Sequence, residues 1–199
     1  MRTFIIRARK GTTRAEDVRS KVGSKEHLEV VAHSVINAFF VSNGFRGDVE
    51  VYIVLDSSDD FPRTIKLSGA EKVSIAGFHE EAVLKLIEEA LKNSGSLQKD
   101  ETKNVAPGVY VSGFGFEKLV AKLLETRQLY LLDPKGEDAR TAMLDSDPVF
   151  ILSDHLALPK NIVKSLKRRG LKTLSFGKKM LFASQCVVLI HYELDRSGL

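Results

Sequence analysis

The sequence predicts an α/β protein, a mostly parallel sheet with helices on both faces. Three observations carry that expectation. Residues 49–55 form a nearly continuous apolar run, the signature of a strand buried on both sides. Leu28, Val31, Ala32, Val35, Ile36, Phe39 and Phe40 recur at helical spacing and make a strong amphipathic helix. From residue 109 onward, short apolar strands alternate with helical segments, the succession that builds parallel sheets.

Taken in order, residues 2–9 predict a first strand, with Phe4, Ile6 and Ala8 alternating against Arg7 and Arg9. A polar, basic stretch at 10–25 precedes the amphipathic helix, and Gly44 reads as that helix's C-terminal cap. Short strands are expected at 64–67 and 72–75. Phe78, Ala82, Val83, Leu86, Ile87, Ala90 and Leu91 mark a second helix, closed by Asn93 and Gly95. The polar segment 96–104 reads as a linker between a part of about 1–95 and a part of about 105–199. Beyond it, strands are expected at 109–111, 129–132, 149–152 and 173–176. Helices are expected at 116–124 and, behind Pro159, at 160–169. Ala183, Cys186, Val187, Ile190 and Leu194 keep helical spacing, so the last segment is read as a helix despite its β-branched residues.

Composition narrows the classes. Hydrophobic residues make up 43% and charged residues 28% of 199, an ordinary globular balance. No run approaches the roughly 18 apolar residues of a membrane span. Cys186 is the single cysteine, which excludes an intramolecular disulfide and suits a reducing cytoplasm. CxxC, HxxxH and GxxxxGK[ST] are all missing, so zinc and P-loop readings fail and no metal is expected. Asp56-Ser57-Ser58-Asp59-Asp60 imitates a calcium loop but lacks its closing Glu. The net charge is only +4, yet Lys160, Lys164, Lys167, Arg168, Arg169, Lys172, Lys178 and Lys179 lie in a stretch without Asp or Glu. Arg2, Arg7, Arg9, Lys10, Arg14, Arg19, Lys21, Lys25 and Arg46 make a second basic region. Such clusters suit a polyanion, although a solvated helix face would look the same.

Open α/β sheets bind ligands beyond the carboxyl ends of their strands. Three loops occupy that place: Asp133-Pro134-Lys135-Gly136-Glu137-Asp138, Ser153-Asp154-His155, and Gly177-Lys178-Lys179-Met180-Leu181. By spacing alone they mark only a ligand site of unspecified chemistry. Taken singly, Cys186 reads as a small buried hydrophobe, Ser153 as a loop or cap residue, and Asp154-His155 as a structural turn rather than a metal pair. His33 and His191 fall on predicted helices and read as structural. Arg46 and Asp48 read first as braces of a helix–strand corner.

Phe150-Ile151-Leu152-Ser153-Asp154-His155 and the segment from Met180 to His191 resemble the SPOUT-class pseudouridine N1-methyltransferases. The archaeal tRNA enzymes and their bacterial relatives are the nearest group. The similarity extends over the chain through Met1-Arg2-Thr3-Phe4, Ala38-Phe39-Phe40, Arg46-Gly47-Asp48-Val49, Ala106-Pro107-Gly108 and Leu194-Asp195. The resemblance implies a single SPOUT domain over 1–199 with a C-terminal trefoil knot, an exception to the rule against threaded chains. It implies a cytoplasmic homodimer with S-adenosylmethionine (SAM) in the knot at the subunit interface.

The implied cofactor contacts are Leu132, Ser153, Phe176, Gly177, Lys178, Lys179, Met180, Leu181 and Cys186, many of them through backbone. Ser153 stands where archaeal members usually have Gly, and Phe176-Gly177-Lys178 where they have Leu-Gly-Pro. The implied activity is methylation of N1 of pseudouridine 54 in the tRNA T-loop. Asp48 is a candidate base, and Arg7, Arg9, Arg46 and Lys178 are candidate RNA contacts. Alternatives are methylation of another RNA, at a ribosomal pseudouridine or a ribose 2′-hydroxyl, and RNA binding without catalysis.

Overall fold

Every residue of the first strand is buried, and that strand runs through the middle of the sheet. The computed structural model describes residues 1–20, 23–57, 61–154 and 156–199. Its elements follow as β1 (Arg2–Ala8), α1 (Asp17–Ser20), α2 (Leu28–Phe39), β2 (Phe40–Val41), β3 (Gly44–Phe45), β4 (Val49–Leu55), β5 (Arg63–Ser68) and α3 (Glu80–Ser94). The second half adds β6 (Thr102–Ala106), β7 (Val109–Ser112), α4 (Phe116–Leu123), β8 (Leu129–Asp138), β9 (Val149–Ser153), α5 (Lys160–Arg168), β10 (Lys172–Ser175) and α6 (Ala183–Ser197).

Eight strands make one sheet in the order β10-β8-β9-β1-β4-β5-β7-β6. From β10 to β4 all neighbours are parallel; β5, β7 and β6 form an antiparallel wing. The expected α/β class, with helices on both faces, is what the chain adopts. Phe4, Ile6, Val51 and Ile53 pack with α2, α3 and α6 on one face, while Ile5, Val54, Val149 and Ile151 pack with α4 and α5 on the other. A large aliphatic side chain buried in this way contributes about 1.5–3 kcal/mol, so the doubly covered strands dominate stability.

Several local expectations are corrected. Residues 72–75 are a turn, not a strand: Val73 is buried and its N–H donates to the Ser68 carbonyl, while Lys72 takes a positive φ of 58°. The segment 96–104 is not a free linker, because Thr102–Ala106 forms β6 on the sheet edge. The chain reverses into β7 at Pro107-Gly108, where Gly108 has φ 66° and a Cβ would meet the Ser68 oxygen at 2.7 Å. Proline followed by left-handed glycine is the chemistry of a tight turn. Gly44 does not cap α2; it belongs to the small β2–β3 hairpin, in which Phe40 is a strand residue. Arg7, read as the outward member of an alternating strand, is 9% exposed because α4 covers that face.

The sheet has one irregularity with large consequences. On β10, Thr173 pairs with Leu131, but the next residue, Leu174, pairs with Glu137. Residues 132–136 of β8 therefore bulge out of the ladder at the carboxyl edge. Gly136 brings the chain back: a Cβ there would sit 2.7 Å from the backbone of Thr173 and Leu174. Gly136→Ala is expected to destabilise the fold by about 1–3 kcal/mol through this overpacking. A lower urea midpoint measures it.

Candidate active site

The carboxyl ends of β8, β9 and β10 lie side by side, so the loops that follow them meet. Between them is a cleft of about 430 Å³ lined by the β8 bulge, the end of β9, the loop 176–182 and the first turn of α6. Every proposed cofactor residue lines it except Lys178, which points out of the same loop into solvent. Leu132, Leu152, Leu174, Leu181 and Cys186 give the cleft an apolar wall. Gly177 takes φ 108°, a conformation that side-chain-bearing residues rarely adopt, and its N–H donates to Ser175 Oγ at 3.1 Å.

The chemistry of these groups fits a nucleoside-type cofactor. An apolar slot suits a flat base, and loop backbone beyond the strand ends suits its polar edge. Ile151, Leu174, Phe182 and Gln185 also line this wall although the implied cofactor contacts did not include them. Gln185 had a legible role, since its Oε1 accepts the Phe182 N–H at 2.9 Å and so fixes the start of α6.

Asp154, beside Ser153, acts as a brace. Its Oδ2 accepts the Arg9 N–H at 3.1 Å, its Oδ1 accepts the Leu156 N–H at 2.8 Å, and its own N–H donates to the Arg7 carbonyl at 3.0 Å. His155, its neighbour in the suspected pair, lies outside the described residues. So do Ser58, Asp59 and Asp60 of the calcium-like stretch and Lys21 of the basic region. Among the described residues no group of three or more His, Cys, Asp or Glu could hold a metal. Burial pushes the Cys186 thiol up to about 11. It stays neutral in the cleft wall and behaves as a hydrophobe.

The RNA candidates are dispersed. Arg7 ion-pairs with Asp56 at 2.7 Å, and its guanidinium lies 4.4 Å from the Phe116 ring centre. Arg9 sits half-buried at the same edge as the cleft. Arg46 forks onto Asp195 at 2.6 and 3.1 Å. Asp48 precedes β4 at the opposite edge of the sheet and pairs with Arg2 at 3.1 Å. The register aligns Val54, through Arg7, with Ser153. Asp48 thus lies six residues, about 20 Å, back along the strand direction. Within one chain its carboxylate therefore does not reach this cleft.

That far edge is an ion-pair cluster closed over His191. Arg2 Nη1 donates to His191 Nδ1 at 3.1 Å and pairs with Asp195 at 2.6 Å, while His191 Nε2–H donates to the Ala38 carbonyl at 3.0 Å. Burial first, then the Arg46 and Arg2 charges, lower the His191 pKa to about 4. The Arg46 and Arg2 hydrogen bonds hold Asp195 at about 2.

Fold and cleft together define an α/β protein with an apolar cleft at the carboxyl edge of its sheet. Residues 1–199 match the family described as "Putative SAM-dependent RNA methyltransferase", and the chain belongs to that family. Its cofactor is accordingly SAM. Relatives bearing the name "Putative pseudouridine methyltransferase" include one from Photobacterium profundum, 45% identical over 195 residues and 98% of each chain. Another from Alcanivorax borkumensis is 45% identical over the full length of both chains, 199 residues. The Vibrio cholerae relative is 42% identical over 195 residues, 98% of this chain and 97% of its own. Among solved structures, Archaeoglobus fulgidus Nep1 bound to S-adenosylhomocysteine shares the fold, with a TM-score of 0.66, 12% identity and 98% of both chains covered.

His191 gives a signed pH dependence. Its pKa is lower folded than unfolded, so the unfolded chain gains a proton first as pH falls below about 6.5. Stability is expected to be full above that value and to drop by about 2–3 kcal/mol between pH 6.5 and 4. Urea unfolding across that range tests this, and His191→Gln should flatten the profile. At pH 8 the neutral, buried Cys186 should react with iodoacetamide at least tenfold more slowly than a free thiol until urea unfolds the chain.

Proposed function

We propose that this chain methylates N1 of pseudouridine at position 54 in the T-loop of tRNA. The observation that carries the reading is the convergence of three distant loops on one apolar cleft, in a chain of this family. The relatives' shared name supports pseudouridine as the base. Leu132, Ser153, Phe176, Gly177, Lys179, Met180, Leu181 and Cys186 would hold SAM there, and Lys178 would extend toward the RNA. Bound in the cleft, SAM supplies an electrophilic methyl group on a sulfonium. The protein's part is alignment: the walls exclude water and hold the acceptor nitrogen in line with the methyl carbon.

Pseudouridine leaves N1 as a free N–H, whose proton must leave or be shared as the bond forms. Asp133 accepts the Lys135 N–H at 2.9 Å, and both Asp154 oxygens accept backbone N–H groups, so the nearby carboxylates already have structural work. We infer that oriented backbone dipoles stabilise the developing anion, or that a carboxylate arrives from a second copy.

A homodimer and a C-terminal knot belong to the same proposal. α6 runs from the cleft at Ala183 to the ion-pair edge at Asp195, about 20 Å away. On one face, a turn apart, it exposes Val188 at 50% and Tyr192 at 61%. Two copies packed antiparallel across this stripe would bury it. Each would then set its far edge, with Arg46 and Asp48, beside the other's cleft. That is the one route by which Asp48 could act as base.

Calorimetric titration with SAM is expected to show one site per chain, and Gly177→Val to weaken it about tenfold through strain at φ 108°. Incubating wild-type protein with tRNA and isotopically labelled SAM, then analysing nucleosides by mass spectrometry, should yield N1-methylpseudouridine. Label in another nucleoside, or none, refutes the assignment.

A further inference from the structure

A second cavity, of about 740 Å³, opens beside the cofactor cleft beneath α5. Asp133, Ser153 and Met180 line both spaces, so they communicate, and Met180 is 87% exposed at the junction. The floor is apolar, with Leu158 and Val163. The rim carries Lys160, Lys164, Lys167 and Arg168, all exposed. Among the described lining residues Asp133 is the one acid, and it lies 3.8 Å from Lys167.

We propose that this cavity is a docking subsite for the ribonucleotide segment next to the methylated base, its phosphates on the Lys164–Lys167–Arg168 rim. The inference rests on the methyltransferase reading and specifies where its substrate runs. A helix face that merely keeps a protein in solution mixes both signs of charge. α5 carries no acid, and Leu166 is its one buried residue. A nucleotide combines the two chemistries present, a ring and ribose for the apolar floor and an anion for the rim. The shared wall at Ser153 and Met180 then leads the chain directly to the methyl donor. An acidic protein would match the charge, but it would need neither the apolar floor nor that opening.

Arg7 and Arg46 are held by Asp56 and Asp195, whereas the α5 cations have a single acid among them. The assigned RNA path therefore crosses α5.

The test uses the full chain carrying K164E and K167E together, with K164Q/K167Q as a milder pair should charge reversal impair folding. SAM affinity is measured by calorimetry, and affinity for a tRNA T-arm hairpin by fluorescence anisotropy over a salt series. SAM binding should stay within twofold of wild type. RNA affinity should fall at least tenfold, and the slope of log K against log salt should become shallower by about 0.7 for each phosphate that is no longer neutralised. A folded, SAM-binding variant with unchanged RNA affinity and slope overturns the subsite. Failure of the wild-type chain to bind SAM would instead sink the methyltransferase reading, leaving the salt slopes to judge α5 independently.

Discussion

The β8–β10 ladder loses its register at one step, and the working surface of the molecule follows from that break. Five residues of β8 leave the sheet while β10 advances by one, so the carboxyl edge gains a projecting wall instead of a flush end. Opposite it stand the end of β9 and the loop that precedes α6. The break is tolerated because Gly136 allows the two backbones to rejoin at a distance no side chain permits. Elsewhere the sheet is unforgiving: β1 is covered on both faces, so any slip there would expose a full row of apolar side chains. The break thus opens the sheet at an edge where a ligand can use it.

The two edges of the sheet divide the electrostatic work. At the amino edge, Arg2, Arg46, Asp48 and Asp195 neutralise one another around a neutral His191. Those groups position the end of α6 against α2 and the first strand. At the carboxyl edge, α5 presents cations with almost no acid beside them. Exposed charge of one sign raises self-repulsion, a cost that makes sense where a polyanion restores the balance. A modest net charge of +4 thus conceals a strongly uneven distribution.

α6 links these regions. Its inner residues, Cys186, Val187, Ile190 and Leu194, belong to the main core, and its first turn closes the cleft. Its outer side chains include a large aromatic and an exposed valine, an expensive choice for a surface that stays wet. One helix therefore connects core stability, the cleft wall and an exposed apolar surface, so changes along it should not act independently.

The periodicities of Leu28 to Phe39 and of residues 49–55 were legible because they repeat over enough residues to outweigh local noise. The family resemblance also marked the cleft loops, and all its cofactor residues except Lys178 meet in one cavity. The wing strands were harder: residues 102–106 are polar because they form a half-exposed edge, and edge strands lack the apolar signal of central ones. Residues 72–75 show the reverse error, a β-like pattern held in a turn by one buried valine. Sequence by itself determined the α/β class, the long helices and the segments that carry the loops, since these depend on local pattern. Tertiary structure alone decided that Arg7 is buried against Phe116, that Asp48 lies about 20 Å from the cleft, and that α5's cations border the cavity beside it. Those facts arise from which strands become neighbours, a long-range choice that no local spacing encodes.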